Sequence, residues 1–180
     1  MIRTLMLSLC AASVAGSAAS AQMMPNDLKW GPAPPGLPAG AQLAVLSGDP
    51  GKEGMFTIRL KFPAGYSVPA HHHPTPELVT VMEGSASMGM GDKLDKAKAA
   101  TLGAGGFVEL PPNMNHFAFT ETGATVQIVS HGPFQIIYVD PKDDPRGAAA
   151  PAPGTAPAAT PAAAPAPAAE PASGEPERGE

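Results

Sequence analysis

Between residues 27 and 146 the apolar residues come in short runs broken by glycine and proline, never in a long stripe of helical period. That punctuation points to an all-β fold, because a helix packed in a domain needs an apolar face sustained over several turns. Residues 55–62 show the pattern most clearly. Phe56, Ile58, Leu60 and Phe62 fall on one face and Thr57, Arg59 and Lys61 on the other, as in a strand with one side buried. Similar runs predict strands at 41–46, 66–73, 77–83, 85–90, 106–110, 115–121, 124–130 and 134–139, and the turn-forming residues 47–51 join the first to residues 55–62. Many short strands with Gly/Pro turns make a sandwich or barrel. Residues 93–100 are rich in Lys and Ala and are expected to leave the pattern as a short helix or charged loop. The Pro-rich stretch 30–40 reads as extended chain lying over the domain, with Trp30 as a packing anchor.

The two ends do not belong to this core. Residues 1–21 place Arg3 before an apolar run over 5–15 and end Ala19-Ser20-Ala21, the layout of a cleaved secretory signal peptide. The run is too short to span a bilayer, which takes roughly 20 residues. The protein is therefore expected to be exported, to the periplasm or the extracellular space. Cys10, the only cysteine, lies inside that leader, so cleavage leaves neither disulfide nor thiolate chemistry. Residues 147–180 are expected to form a disordered tail: positions 148–180 hold fourteen Ala and eight Pro and no larger apolar side chain. Residues 22–40 make an extended arm, leaving 41–146 as the single domain that 180 residues allow beside such extensions. Eleven basic against sixteen acidic residues, a net charge of -5, give no footprint for nucleic acid or an anionic membrane.

The chemistry concentrates between Gly65 and Gly84. His71 and His73 are two apart, so on a strand both leave the same face, while His72 leaves the other. Glu77 follows the turn Pro74-Thr75-Pro76 and can bring a carboxylate oxygen beside the two imidazoles, a mixture suited to a divalent transition metal. His116, after Pro111-Pro112, is the fourth candidate ligand. Four such ligands on a six-coordinate ion leave two positions for water, substrate or dioxygen. His131 reads as a turn histidine before Gly132-Pro133 and stays outside the set. Met88 and Met90 could offer soft thioethers, but His and Glu donors favour Fe, Mn, Zn or Ni over Cu(I).

The spacing Gly65-x5-His71-x-His73-x3-Glu77-x6-Gly84 resembles the first signature of the cupin superfamily at every framework position. The second signature is matched by Gly105, Pro111 and His116, with Asn113 at the expected glycine and Thr120 at the expected terminal asparagine. Asn tolerates a left-handed backbone better than most residues, so that turn can survive. The resemblance implies a double-stranded β-helix, or jelly roll. It also implies one metal ion held by His71, His73, Glu77 and His116. The wider run resembles small secreted cupins. It further implies either a metal-dependent oxygenase or isomerase acting on a small organic molecule, or a non-catalytic metal- or ligand-binding module like those of zinc-binding regulators. Homodimers formed through sheet edges are common in the superfamily. No catalytic side chain stands out. Tyr66, Glu109 and Glu121 are candidate proton donors, and Phe107, Phe117, Phe119 and Val79 are expected to line an apolar barrel.

Overall fold

The computed structural model describes residues 22–147; the leader expected over 1–21 and the tail from 148 onward lie outside the described residues. Ten strands follow in order: β1 (Gly31–Pro32), β2 (Gln42–Ser47), β3 (Gly54–Phe62), β4 (Ser67–His72), β5 (Glu77–Met90), β6 (Ala100–Gly103), β7 (Phe107–Leu110), β8 (His116–Phe119), β9 (Ala124–Gly132) and β10 (Ile137–Tyr138). All pairings are antiparallel. One half of the sheet runs β1-β2-β3-β9-β5-β7 and the other β10-β4-β8-β5-β6, so β5 belongs to both and the sheet curls on itself.

The alternation in 55–62 works as expected. Phe56, Ile58, Leu60 and Phe62 are all buried and join Val79, Val81, Val126 and Ile128 in one core between the halves. Full burial of such a side chain contributes about 1.5–3 kcal/mol, which is why this register is strongly specified.

The two strands expected at 77–83 and 85–90 are one strand, bent where the two halves of the sheet meet. Gly84 makes the bend possible. Its φ is 71°, and a Cβ there would stand 2.2 Å from the Gly123 carbonyl oxygen. Up to Gly84 the strand pairs with β9, and from Ser85 onward with β6. Gly84→Ala therefore combines a left-handed backbone with a clash against another backbone. We expect it to lower stability by at least about 2 kcal/mol in denaturant melts; an unchanged midpoint would show that the bend has slack.

Two further differences have simple causes. Strand β6 lies in a stretch with few apolar residues and forms as an exposed edge beside β5, and the preceding Lys/Ala-rich excursion contains only a short 3-10 turn at Lys96–Lys98 capped by Asp95. The strand expected over 134–139 is reduced to Ile137–Tyr138, because residues 133–136 leave the sheet to pack beside the histidines. In the turn before β8 Asn113 has a φ of 60°, the left-handed conformation anticipated for the residue that stands at the glycine position.

Candidate metal centre

Strands β4, β5 and β8 bring four side chains together. His71 on β4 lies directly across from His116 on β8, and their ring centroids are 4.2 Å apart. His73, just past the end of β4, is 5.0 Å from His71 and 5.4 Å from His116 by the same measure. Each of the three histidines offers one ring nitrogen within 4.8 Å of the other two, so they form a group able to hold a metal ion. Glu77, the first residue of β5, places Oε2 3.5 Å from Nε2 of both His73 and His116. All four side chains are buried. The turn before Glu77 is pinned: the Ser130 hydroxyl donates to the Pro76 carbonyl at 2.6 Å, and the Thr75 hydroxyl donates to the His131 carbonyl at 3.0 Å.

The orientation of each ring is set by a backbone carbonyl. Nδ1–H of His71 donates to Pro69 O at 2.7 Å, that of His73 to Gln135 O at 2.5 Å, and that of His116 to Met114 O at 2.9 Å. A carbonyl can only accept, so in the neutral ring the proton sits on Nδ1 and the Nε2 lone pair is left for a ligand bond. Carbonyl partners of this kind are the usual outer support of metal-binding imidazoles. Phe134 also stacks on His73, with centroids 4.3 Å apart and an interplanar angle of 14°.

The electrostatics suit a cation. Burial, reinforced by His116 and His73, pushes His71 down to about 3, and burial likewise lowers His73. Both are neutral and able to ligate at ordinary pH. For Glu77 burial alone would favour the protonated acid; positive charge at Nε2 of His73 or His116, the position a metal cation would take, is what draws the carboxyl below its usual range. Three imidazole nitrogens and one carboxylate oxygen, buried and already oriented, fit a divalent transition metal.

The remaining candidates separate cleanly. His72 points away from the group, and its Nδ1–H donates to Asn115 Oδ1 at 3.0 Å; Asn115 Nδ2 in turn donates to Asp92 at 2.7 Å. His131 is exposed at the end of β9. Met88 lines the cavity beside the histidines, whereas Met90 is exposed.

The proposed proton donors do not reach the group. The Tyr66 hydroxyl donates to Pro38 O at 2.6 Å, Glu109 is exposed, and Glu121 pairs with Lys96 at 2.6 Å. Of the expected lining, only Val79 belongs to it. Phe107 is 54% exposed, Phe117 packs against Gly89 where a Cβ would lie 2.3 Å from its ring, and Phe119 lies under Lys96. The reason is parity. On β8 His116 and Ala118 face the cavity, so Phe117 and Phe119 must face outward. Sequence reasoning missed Phe134 and the Gln135 carbonyl, and it did not foresee that Pro34 to Leu37 of the arm would form part of the cavity wall. The cavity has a volume of about 720 Å³, and its wall is mostly aliphatic.

A curled antiparallel barrel with a histidine cluster on facing strands of its inner wall defines a cupin. The sequence profile described as the ChrR Cupin-like domain matches residues 18–135, and the chain belongs to that family. No curated protein sequence matches it significantly. Among solved structures, the polyketide cyclase RemF from Streptomyces resistomycificus superposes with a TM-score of 0.56 at 18% identity, covering 71% of this chain and 90% of its own. The DMSP lyase DddQ from Ruegeria pomeroyi gives 0.50 at 20% identity, covering 63% and 61%. An RmlC-like cupin from Shewanella frigidimarina gives 0.49 at 17%, covering 64% and 94%. At these identities the first two likenesses concern the fold.

Proposed function

We propose that His71, His73, Glu77 and His116 hold one divalent transition metal ion, Fe, Mn, Zn or Ni. We further propose that the exported protein uses this centre as an oxygenase or isomerase on a small organic molecule. The observation that carries this reading is the convergence of three carbonyl-oriented imidazoles and an ionised carboxylate on the wall of a cavity large enough for a substrate. When bound, the metal supplies Lewis acidity and, if redox-active, electron transfer. The chain itself orients the donors, keeps His71 and His73 unprotonated, and surrounds the site with a mostly aliphatic wall. RemF and DddQ, whose folds are similar, are by their names a cyclase and a lyase, which supports a catalytic use of this architecture. The leader sequence supports export.

A second reading is favoured by one observation. Apart from the four residues above, the charged groups of the described cavity wall are Asp144 and Arg146, and these are paired with each other. With no uncommitted acid or base beside the centre, the protein could serve as a metal- or ligand-binding module, in keeping with the family match. Metal-loaded protein assayed against a panel of small organic acids, enols and diketones, under air and under nitrogen, separates the readings. The enzymatic reading expects turnover: air-dependent for an oxygenase, air-independent for an isomerase. Saturable binding without turnover across the panel would favour the module.

A further inference from the structure

Resting on the metal reading above, we infer that the cavity takes an amphipathic monoanion: one anionic chelating head at the centre, continued by a single apolar body along the barrel. Three observations carry this. The first is length. Ser130 pairs with Glu77, Ile128 with Val79 and Ile58, and Val126 with Val81 and Leu60. At about 3.3 Å per residue, the Val126 layer stands roughly 13 Å along the barrel from the Glu77 layer. The second is the lining of that stretch. Ile58, Leu60, Val79, Val126 and Ile128 all face the cavity, and none offers a polar atom beyond its backbone.

The third is charge. A dication beside the Glu77 carboxylate leaves one positive charge, matched by one anionic head. The only other cation in the described wall is Arg146, and it is already engaged. Its Nε and Nη2 donate to Asp144 at 2.7 and 2.8 Å, and Nη2 also donates to Ile136 O at 2.9 Å. A second anionic group on the ligand would therefore find no free cation in the described wall, and burying a charge without a partner is costly. Phosphorylated sugars and dicarboxylates are excluded on the same grounds.

Three hydroxamates test this on Zn(II)-loaded full-length protein by titration calorimetry, with metal-free protein as control. They are acetohydroxamic acid, octanohydroxamic acid and the monohydroxamate of suberic acid, which equals the second in length but ends in a carboxylate. Six further methylenes, worth up to about fourfold each when buried, should make octanohydroxamate bind at least about 100-fold tighter than acetohydroxamate. The suberic compound should lose most of that gain, falling at least about tenfold below octanohydroxamate. Equal affinities for the short and long monoanions would overturn the apolar body, and equal affinities for the octano and suberic compounds would overturn the single-charge requirement. Either result leaves the metal reading standing. Failure of all three to bind zinc-loaded protein, with zinc content verified, would instead remove the open metal centre on which the inference rests.

Discussion

Alanine at His71, His73 or His116 weakens Zn(II) binding by at least about 100-fold in competition with a chelator, while His72→Ala stays within about tenfold of the parent. Loss of a supporting partner outside the ligand shell typically lowers metal affinity by 10–100-fold, and loss of a ligand itself should cost more. His72 lies between two of the proposed ligands in sequence, yet it faces Asn115 on the other side of the sheet. It therefore controls for disturbance of β4 without loss of a donor. Glu77→Gln keeps the size of the side chain but removes its charge and should weaken binding comparably to the histidine variants. Circular dichroism identifies any variant that fails to fold. Equal losses in His72→Ala and His71→Ala would remove the basis for the assignment by parity.

The second large effect is acid sensitivity of the metal-free domain. His71 has a folded pKa of about 3 against an ordinary value of 6.5, and His73 is shifted in the same direction. Above pH 6.5 neither histidine penalises folding. As the pH falls below that value the unfolded chain takes up protons that the buried rings refuse, so stability declines toward pH 3. Each such group removes up to about 1.4 kcal/mol per pH unit in this window. Glu77, shifted below its ordinary 4.5, adds a further loss below about pH 4.5. Chelator-treated protein should remain folded at pH 7, because its apolar core includes none of the four ligands. It should lose at least about 2 kcal/mol by pH 5.

Zinc at 1,000 times its dissociation constant should stabilise the domain at pH 7 by about 4 kcal/mol, since the ligands come from strands far apart in sequence and bind metal together only when folded. Melting curves measured with and without chelator at pH 7, 6 and 5 check all three statements. A metal-free domain unfolded at pH 7 would refute the independent core, and melting independent of pH would refute neutral, buried histidines.

The parts of this protein that could be read from its sequence are those in which side-chain chemistry and strand period agree. The buried row Phe56, Ile58, Leu60 and Phe62 needed only a period of two. His71 on β4 and His73 just beyond it needed the same parity, and Glu77 and His116 needed the motif spacing. Legibility failed where one of those signals was missing. Gly84 reads as a break between two strands, whereas its positive φ lets one strand continue around a bend. Strand β6 has little apolar content, because it forms an exposed edge held mainly by backbone pairing.

Residue type alone points the aromatics of β7 and β8 into the barrel, whereas parity with His116 turns those of β8 away from it, and the structure puts Phe107, Phe117 and Phe119 outside the cavity lining. The supports of the site were invisible for a deeper reason. Pro69, Gln135 and Met114 act through backbone carbonyls, which any residue could supply, so no residue type marks them. Phe134 reaches His73 only because residues 133–136 leave the sheet, a departure no local pattern announces.

The central claim is that one metal ion sits among His71, His73, Glu77 and His116. Anomalous diffraction at the zinc edge, from crystals of the Zn(II)-loaded protein, tests it most directly. The account predicts one strong peak about 2.0–2.2 Å from Nε2 of each of the three histidines and from a Glu77 carboxylate oxygen. A zinc-loaded crystal whose anomalous peaks all lie elsewhere, with those four side chains unligated, would contradict it.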